Sequence, residues 1–283
     1  MASLNFDRVP RVGMLALALK RGRRLAAGES IPRIEAKAAR LDADLATYNK
    51  VCGLPSGSAL PLCFPQILAA DLQKVVLTHR EFPLALFGVV HTRQRIEQKR
   101  ALYVNEAIGG RVWVEGHRPA RRGGEFDLHT VITAGGDDIW HGITTILSQE
   151  LPGDGQKRPP PQPPTIQGGR GCAWHVPENQ GRRYAKVSGD NNPIHQYALT
   201  ARPFGFKRAI VHGWWTLARA LAEMDTDIPA SCVLECAFHA PVSLPSTVYF
   251  RSGPAGAGQA FELRGAPGKS AKTLVTGSVA PFR

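Results

Sequence analysis

The stretch "YAKVSGDNNPIH", Tyr184–His195, packs an acid, two asparagines, a proline and a histidine into six residues after a Ser-Gly pair. A second stretch, "YNKVCGL" (Tyr48–Leu54), repeats its Tyr, Lys, Val and Gly at the same spacing and then departs. Leu54 stands where the later copy has Asp190, and no histidine follows at the matching place. The echo implies one structural unit used twice, with polar chemistry kept in the second copy alone.

Working outward, each copy is followed by an apolar stretch at helical spacing. These are "LPLCFPQILAADLQKVVL" (Leu60–Leu77) and "AIVHGWWTLARALAEM" (Ala209–Met224). Strand-like segments rich in β-branched and aromatic residues follow, at 111–116, 125–133 and 139–149 and again at 232–240, 246–252, 259–265 and 272–280. Glycine-bearing turns between them predict antiparallel hairpins. The expected fold is α+β: a helix and an antiparallel sheet able to wrap it, present twice. The run "QKRPPPQPPTIQGGRG" (Gln156–Gly171) favours extended backbone and cannot enter a sheet interior, so it reads as a linker. The expected division is residues 1–155, a linker at 156–171, and residues 172–283.

The chain has 283 residues and a formal charge of +12, with 43% hydrophobic and 20% charged residues, an ordinary soluble composition. The basic residues are dispersed, without an aromatic-interleaved stripe or zinc-finger spacing, which argues against nucleic acid. No apolar run reaches the length of a membrane span. "VGMLALAL" (Val12–Leu19) reads as a short amphipathic helix rather than an export signal. Five cysteines, odd in number and without metal-ligand spacing, point to reduced thiols and a cytoplasmic location.

Asp190, Asn192 and His195 fall in a turn whose backbone Pro193 restricts. A carboxylate and an imidazole five positions apart on such a turn can hold one water between them and move its protons. Asn192 would orient the carboxylate or the turn. One Asp and one His without a third ligand make a poor metal site, so no metal is expected. Gly213 lies where the second apolar helix begins, among unpaired N–H groups at the positive end of the helix dipole. A glycine there admits a carbonyl oxygen close to the backbone, where its N–H would stabilise an enolate. His212 reads as a structural histidine. In the first copy Pro65 occupies the place of Gly213 and has no N–H to offer.

Together, "YAKVSGDNNPIH", Ala201, Gly205-Phe206 and "IVHG" ending at Gly213 resemble the MaoC-like, (R)-specific enoyl-thioester hydratases. "LPLCFPQILAADLQKVVL" and "HTRQRIEQKRAL" (His91–Leu102) extend the likeness to the double hot-dog branch, with its 3-hydroxyacyl-thioester dehydratases. The resemblance implies two hot dogs, the first degenerate and the second catalytic, and reversible addition of water to a trans-2-enoyl thioester. It also implies Asp190 and His195 on the water, Asn192 in support, and the Gly213 N–H on the thioester oxygen. The individual proton transfers of Asp190 and His195 stay open. No cofactor is required, because CoA or phosphopantetheine belongs to the substrate. Arg202, Lys207 and Arg208 would meet the phosphates of CoA or an acidic acyl carrier protein. Methionine often follows the His-Gly pair in this family; here Trp214 and Trp215 follow it, and Trp214 is a candidate for the acyl site. A hot-dog thioesterase and a non-catalytic acyl-thioester-binding protein are the competing readings, and the chain is expected to be a monomer or a homodimer.

Overall fold

A computed structural model describes residues 2–26, 28–156, 165–224, 228–267 and 272–282. The first half of the chain runs β1 (Ala2–Arg8), α1 (Met14–Leu19), β2 (Ile34–Arg40), α2 (Leu45–Cys52), α3 (Phe64–Leu68), α4 (Ala70–Thr78) and β3 (Val90–Gln98). It continues through β4 (Ile108–Val114), β5 (Arg118–Ala120), β6 (Gly123–Ala134) and β7 (Asp137–Ser148). The second half runs β8 (Arg170–Val176), α5 (Gln180–Ser188), a 3₁₀ turn at Pro193–His195, α6 (Ala198–Ala201) and a second 3₁₀ turn at Arg202–Phe204. Then come α7 (Gly213–Ala222), β9 (Cys232–Phe238), β10 (Ser246–Ala255), β11 (Gly258–Arg264) and β12 (Thr273–Pro281).

The chain forms two compact units that are not consecutive stretches. One comprises Met1–Ala43, Pro65–Gln94 and Leu102–Pro160; the other comprises Asp44–Phe64, Arg95–Ala101 and Pro161–Arg283. This differs from the consecutive division expected at 155 and 172, since α2 groups with the C-terminal unit. Most of the proline run, 157–164, lies outside the described residues, and the last two residues assigned to the linker already belong to β8.

In the first unit the strands lie in the order β1-β2-β4-β6-β7, with β5 paired to the start of β6. All these pairs are antiparallel except β1 with β2, which is parallel. β1 escaped the sequence reading because its alternation, "SLNFDR", is largely polar, as befits an exposed edge strand. The β6–β7 hairpin turns on Gly135 and Gly136, whose φ of 62° and 91° suit the type I′ geometry that matches strand twist. Alternate residues point inward, among them Val112, Val114, Phe126, Leu128, Ile132 and Trp140, all buried. Against this face packs α4, burying Leu72, Gln73 and Val76. The helix expected over 60–77 is shorter and breaks at Ala69 into α3 and α4.

In the second unit β9, β12, β11, β10 and β8 follow one another, antiparallel throughout. Its long helix, α7, buries Trp215, Thr216, Leu217, Ala218, Ala220 and Leu221. Full burial of a side chain such as Leu217 stabilises the fold by about 1.5–3 kcal/mol. The residues before it, 209–212, are extended rather than helical, and Ile210 bridges to Ser243.

The sequence echo has a structural counterpart within this second unit. α2 ends on Gly53 (φ 70°), whose N–H donates to Asn49 O; α5 ends on Gly189 (φ 67°), whose N–H donates to Ala185 O. Both glycines supply the left-handed residue that closes a helix. The two helices pack on each other, with the Tyr48 and Tyr184 rings 6.5 Å apart. Leu54 thus follows its cap as Asp190 follows Gly189, but with a side chain that carries no proton.

Candidate active site

After Gly189 the chain folds through a series of local hydrogen bonds. Ser188 Oγ donates to Tyr184 O and accepts from the Asp190 N–H. The Asn192 N–H donates to Asp190 Oδ1 at 3.1 Å, which orients the carboxylate, and Asn192 Oδ1 caps the 3₁₀ turn by accepting from the Ile194 N–H. Asn192 therefore acts through its backbone on Asp190 and through its amide on the turn. Pro193 supplies the first residue of that turn, which delivers His195. Gly181 on α5 matters here: a Cβ at this position would lie 2.0 Å from the His195 carbonyl oxygen, so only glycine lets the turn settle on the helix.

The structure brings Asp190, His195 and one further residue together. His195 Nε2 lies 3.9 Å from Asp190 Oδ2, and His212 Nε2 lies 3.7 Å from the same oxygen. Asp190 keeps 51% of its side chain exposed, against 10% for His195 and 3% for His212. One carboxylate thus faces solvent with two imidazoles behind it. Gly213 opens α7, with His212 as the N-cap residue, so its amide is among those without an intrahelical partner.

The hydrogen bonds fix both imidazole tautomers. His195 Nδ1–H donates to Ile210 O at 2.8 Å, leaving the Nε2 lone pair directed toward Asp190. His212 Nε2–H donates to the backbone carbonyl of Asp190 at 2.9 Å. The two rings stack with centroids 3.7 Å apart. Burial pushes the His195 pKa down, against opposing pulls from the Asp190 charge and the Ile210 carbonyl. Burial, then the neighbouring His195, pushes His212 down to about 3. Burial thus favours the neutral form of both rings, and in that form His195 keeps a lone pair on Nε2.

His212 is the site residue that the sequence reading set aside. It sits 22 positions from Asp190, and only the return of the chain along 209–212 brings it back. Its presence supplies the third metal-type ligand whose absence argued against a metal, since donor atoms of Asp190, His195 and His212 all lie within 4.8 Å of one another. As hydrogen-bonded, however, His212 Nε2 and His195 Nδ1 are both spent as donors to carbonyls. In this hydrogen-bonded arrangement His195 keeps Nε2, and not Nδ1, as the nitrogen with a lone pair toward Asp190.

Arg202, Lys207 and Arg208 are exposed on the segment between the 3₁₀ turn and α7, and Arg208 donates to Pro245 O. Between Glu178 and Glu223 the chain carries seven arginines and lysines but a single acid, Asp190. Trp214 is half-buried beside Gly213. Trp215 turns the other way and donates its Nε1–H to Val51 O at 2.9 Å, pinning α7 to α2.

Comparison with known proteins shows the family and the fold of the chain. The MaoC like domain family matches residues 148–273. A curated relative from Mycobacterium tuberculosis, 3-hydroxyacyl-thioester dehydratase X, is 36% identical over 217 residues, covering 76% of this chain and 78% of its own. The chain belongs to the MaoC-like dehydratase family. The crystal structure of HtdX from the same organism superposes with a TM-score of 0.76 at 32% identity, over 88% of this chain and 100% of that one. Two more distant structures share the fold alone. A MaoC-like dehydratase from Phytophthora capsici has a TM-score of 0.68 at 17% identity, over 92% and 99% of the two chains. A Mycobacterium tuberculosis protein described as a double hotdog has a TM-score of 0.51 at 15% identity, over 98% and 94%. This member of the family is accordingly an α+β double hot dog.

Imidazoles held neutral by desolvation carry a prediction for stability. An unfolded histidine titrates near 6.5, whereas His212 is held to about 3 and His91, half-buried in the first unit, to about 4. Between those values the unfolded chain binds more protons than the native one, so stability rises with pH there. It is fully present above about pH 6.5 and falls as the pH drops toward 3, by up to about 1.4 kcal/mol per pH unit for each such histidine. Urea midpoints measured from pH 7 to pH 4.5 should decline steadily; a flat profile would show that the rings are not held neutral.

Proposed function

We propose that this protein catalyses the reversible hydration of trans-2-enoyl thioesters to (R)-3-hydroxyacyl thioesters, as a hydro-lyase of fatty-acid metabolism. The observation that carries the reading is the pairing of His195 Nε2, the free nitrogen of a tautomer locked by Ile210 O, with the half-exposed carboxylate of Asp190. The 36% identical relative, 3-hydroxyacyl-thioester dehydratase X, supports the same reaction class. In this scheme the pair holds a water at Cβ and the Gly213 amide receives the thioester oxygen.

The protonation states bear on how protons move. In the scheme, His195 is the neutral form that its burial favours and the pair contributes no proton of its own. Hydration then balances in one way. Water oxygen bonds to Cβ, its proton passes to the pair, the Cα–Cβ π electrons become a carbanion equivalent stabilised as the enolate, and the pair returns the same proton to Cα. Both new bonds form on the side where the pair lies, which gives syn addition. Dehydration is the reverse. Each transfer of this kind contributes about 10²–10⁴ in rate.

The C-terminal unit carries the chemistry, and the first copy serves the fold. Arg202, Lys207 and Arg208 attract the anionic end of the substrate, whether CoA phosphates or the acidic surface of an acyl carrier protein, and Trp214 borders the acyl group. A cytoplasmic setting, where thiols stay reduced, suits five free cysteines of which four are buried. Among the described residues no helix is long and apolar enough to cross a membrane.

The test is loss of the conjugated enoyl-thioester absorbance with trans-2-enoyl-CoAs of increasing length, with chiral analysis of the product. Turnover to the (R)-alcohol supports the proposal. Release of free thiol would instead indicate a thioesterase, and silence with both CoA and carrier-protein substrates an acyl-binding protein. On this metal-free scheme, dialysis against EDTA should leave kcat unchanged within about twofold. A loss restored by added Zn²⁺ would overturn the metal-free scheme.

A further inference from the structure

We infer that His212 is a positioning residue that sets the spacing between the Asp190 carboxylate and the Gly213 amide; the inference rests on the hydratase reading above. The backbone of His212 is the N-cap of α7, directly before Gly213, and its carbonyl accepts from Thr216 N–H and Thr216 Oγ–H. Its ring reaches back to hold the carbonyl of Asp190 at 2.9 Å. One side chain thus spans from the helix that offers the amide to the turn that offers the carboxylate. Its length fixes the gap in which a thioester must fit.

The ring has no freedom to slip. It stacks on His195 with centroids 3.7 Å apart and meets Tyr184 of α5 at 5.0 Å, tilted by 55°. Behind Tyr184 stands Tyr48 of α2. Of the groups packed around it, the Asp190 carboxylate at 3.7 Å is the charged one, while His195 is neutral. The side chain is 3% exposed and its Nδ1 has no hydrogen-bond partner. A buried imidazole leaving one nitrogen unsatisfied is an expensive way to fill space, since an aromatic hydrocarbon would pack there without that cost. What a hydrocarbon lacks is the Nε2–H. The neutral ring keeps that donor throughout the working pH range.

Two substitutions separate the donor from the bulk. Phe in His212→Phe keeps a stacking ring and removes the donor. Gln in His212→Gln places its Nε2 donor near the position of the histidine Nε2. On trans-2-enoyl-CoA, His212→Phe should lower kcat by about 10–10² with little change in KM, the penalty of misplacing reacting groups by about an ångström. His212→Gln should recover most of that loss. Because the effect runs through Asp190, His212→Phe added to Asp190→Asn should cost less than about threefold more. A structural role alone would give equal penalties on both backgrounds. A readout independent of turnover is amide hydrogen exchange. Exchange of the 190–196 amides should rise about tenfold in His212→Phe, the worth of one hydrogen bond, remain near wild type in His212→Gln, and leave β9–β12 unchanged. Unchanged 190–196 exchange in His212→Phe, equal penalties on the two backgrounds, or a Gln variant as impaired as Phe overturns the inference. Wild-type activity in Asp190→Asn alone would instead overturn the hydratase assignment, while the exchange data still judge His212.

Discussion

Asp190→Asn is expected to lower kcat by about two to four orders of magnitude without unfolding the protein. The substitution is nearly isosteric, and its Oδ1 still accepts from the Asn192 N–H, so the turn stays built. What disappears is the charge and the second oxygen that faces His195 and His212. His195→Asn is the matching change. Its amide nitrogen falls near the position of the imidazole Nδ1 and keeps the donation to Ile210 O, while the Nε2 lone pair is lost. It should fall by a similar factor, and the double variant should cost little more than either single one, because a proton relay fails as a unit. His195→Ala would be a cruder probe, since it leaves the buried Ile210 carbonyl without its donor and mixes stability with catalysis. Thermal unfolding of the two conservative variants within a few degrees of wild type establishes that the loss is chemical. Near-wild-type turnover in either would remove that residue from the mechanism.

How far the sequence alone reaches depends on how local each determinant is. The turn that presents Asp190 and His195 was legible because adjacent residues build it: a left-handed glycine cap, an Asx turn at Asp190, an asparagine cap and a proline, all within "SGDNNPIH". The hairpins were legible for the same reason, as Gly135-Gly136 shows. Non-local features were not. The sequence placed the motif helix of the first copy in the first domain, whereas α2 packs on α5 and α7, because Tyr48 and Val51 find their partners there. The parallel pairing of β1 with β2 depends on where a polar edge strand returns, which no periodicity encodes. His212 was misread for a related reason. Its neighbours in sequence are apolar, as for any buried histidine, and its role lies wholly in a bond to a residue 22 positions away.

The second large effect concerns the amide of Gly213, and the first copy suggests the experiment. There Pro65 lies in the first turn of α3, at the place that the echo aligns with Gly213. Proline is well suited to the first position of a helix, where its missing N–H breaks no intrahelical bond and its fixed φ is already helical. The residue before it must be extended, and His212 is, with φ −61° and ψ 138°. Gly213→Pro therefore deletes one N–H while keeping the backbone that surrounds it. If that N–H receives the thioester oxygen, enolate stabilisation goes with it, and kcat should drop by about 10²–10³. Gly213→Ala keeps the N–H and adds a methyl group, so the difference between the two variants isolates the donor from the bulk. The fold should tolerate both, because helix N-termini accept proline and α7 is anchored further along by Trp215 and Leu217. Equal activity in the proline and alanine variants would move the oxyanion site elsewhere. A large gap between them would mean that the change from glycine to proline at one helix start suffices to separate the working copy from its silent echo in substrate activation, independently of the change from aspartate to leucine.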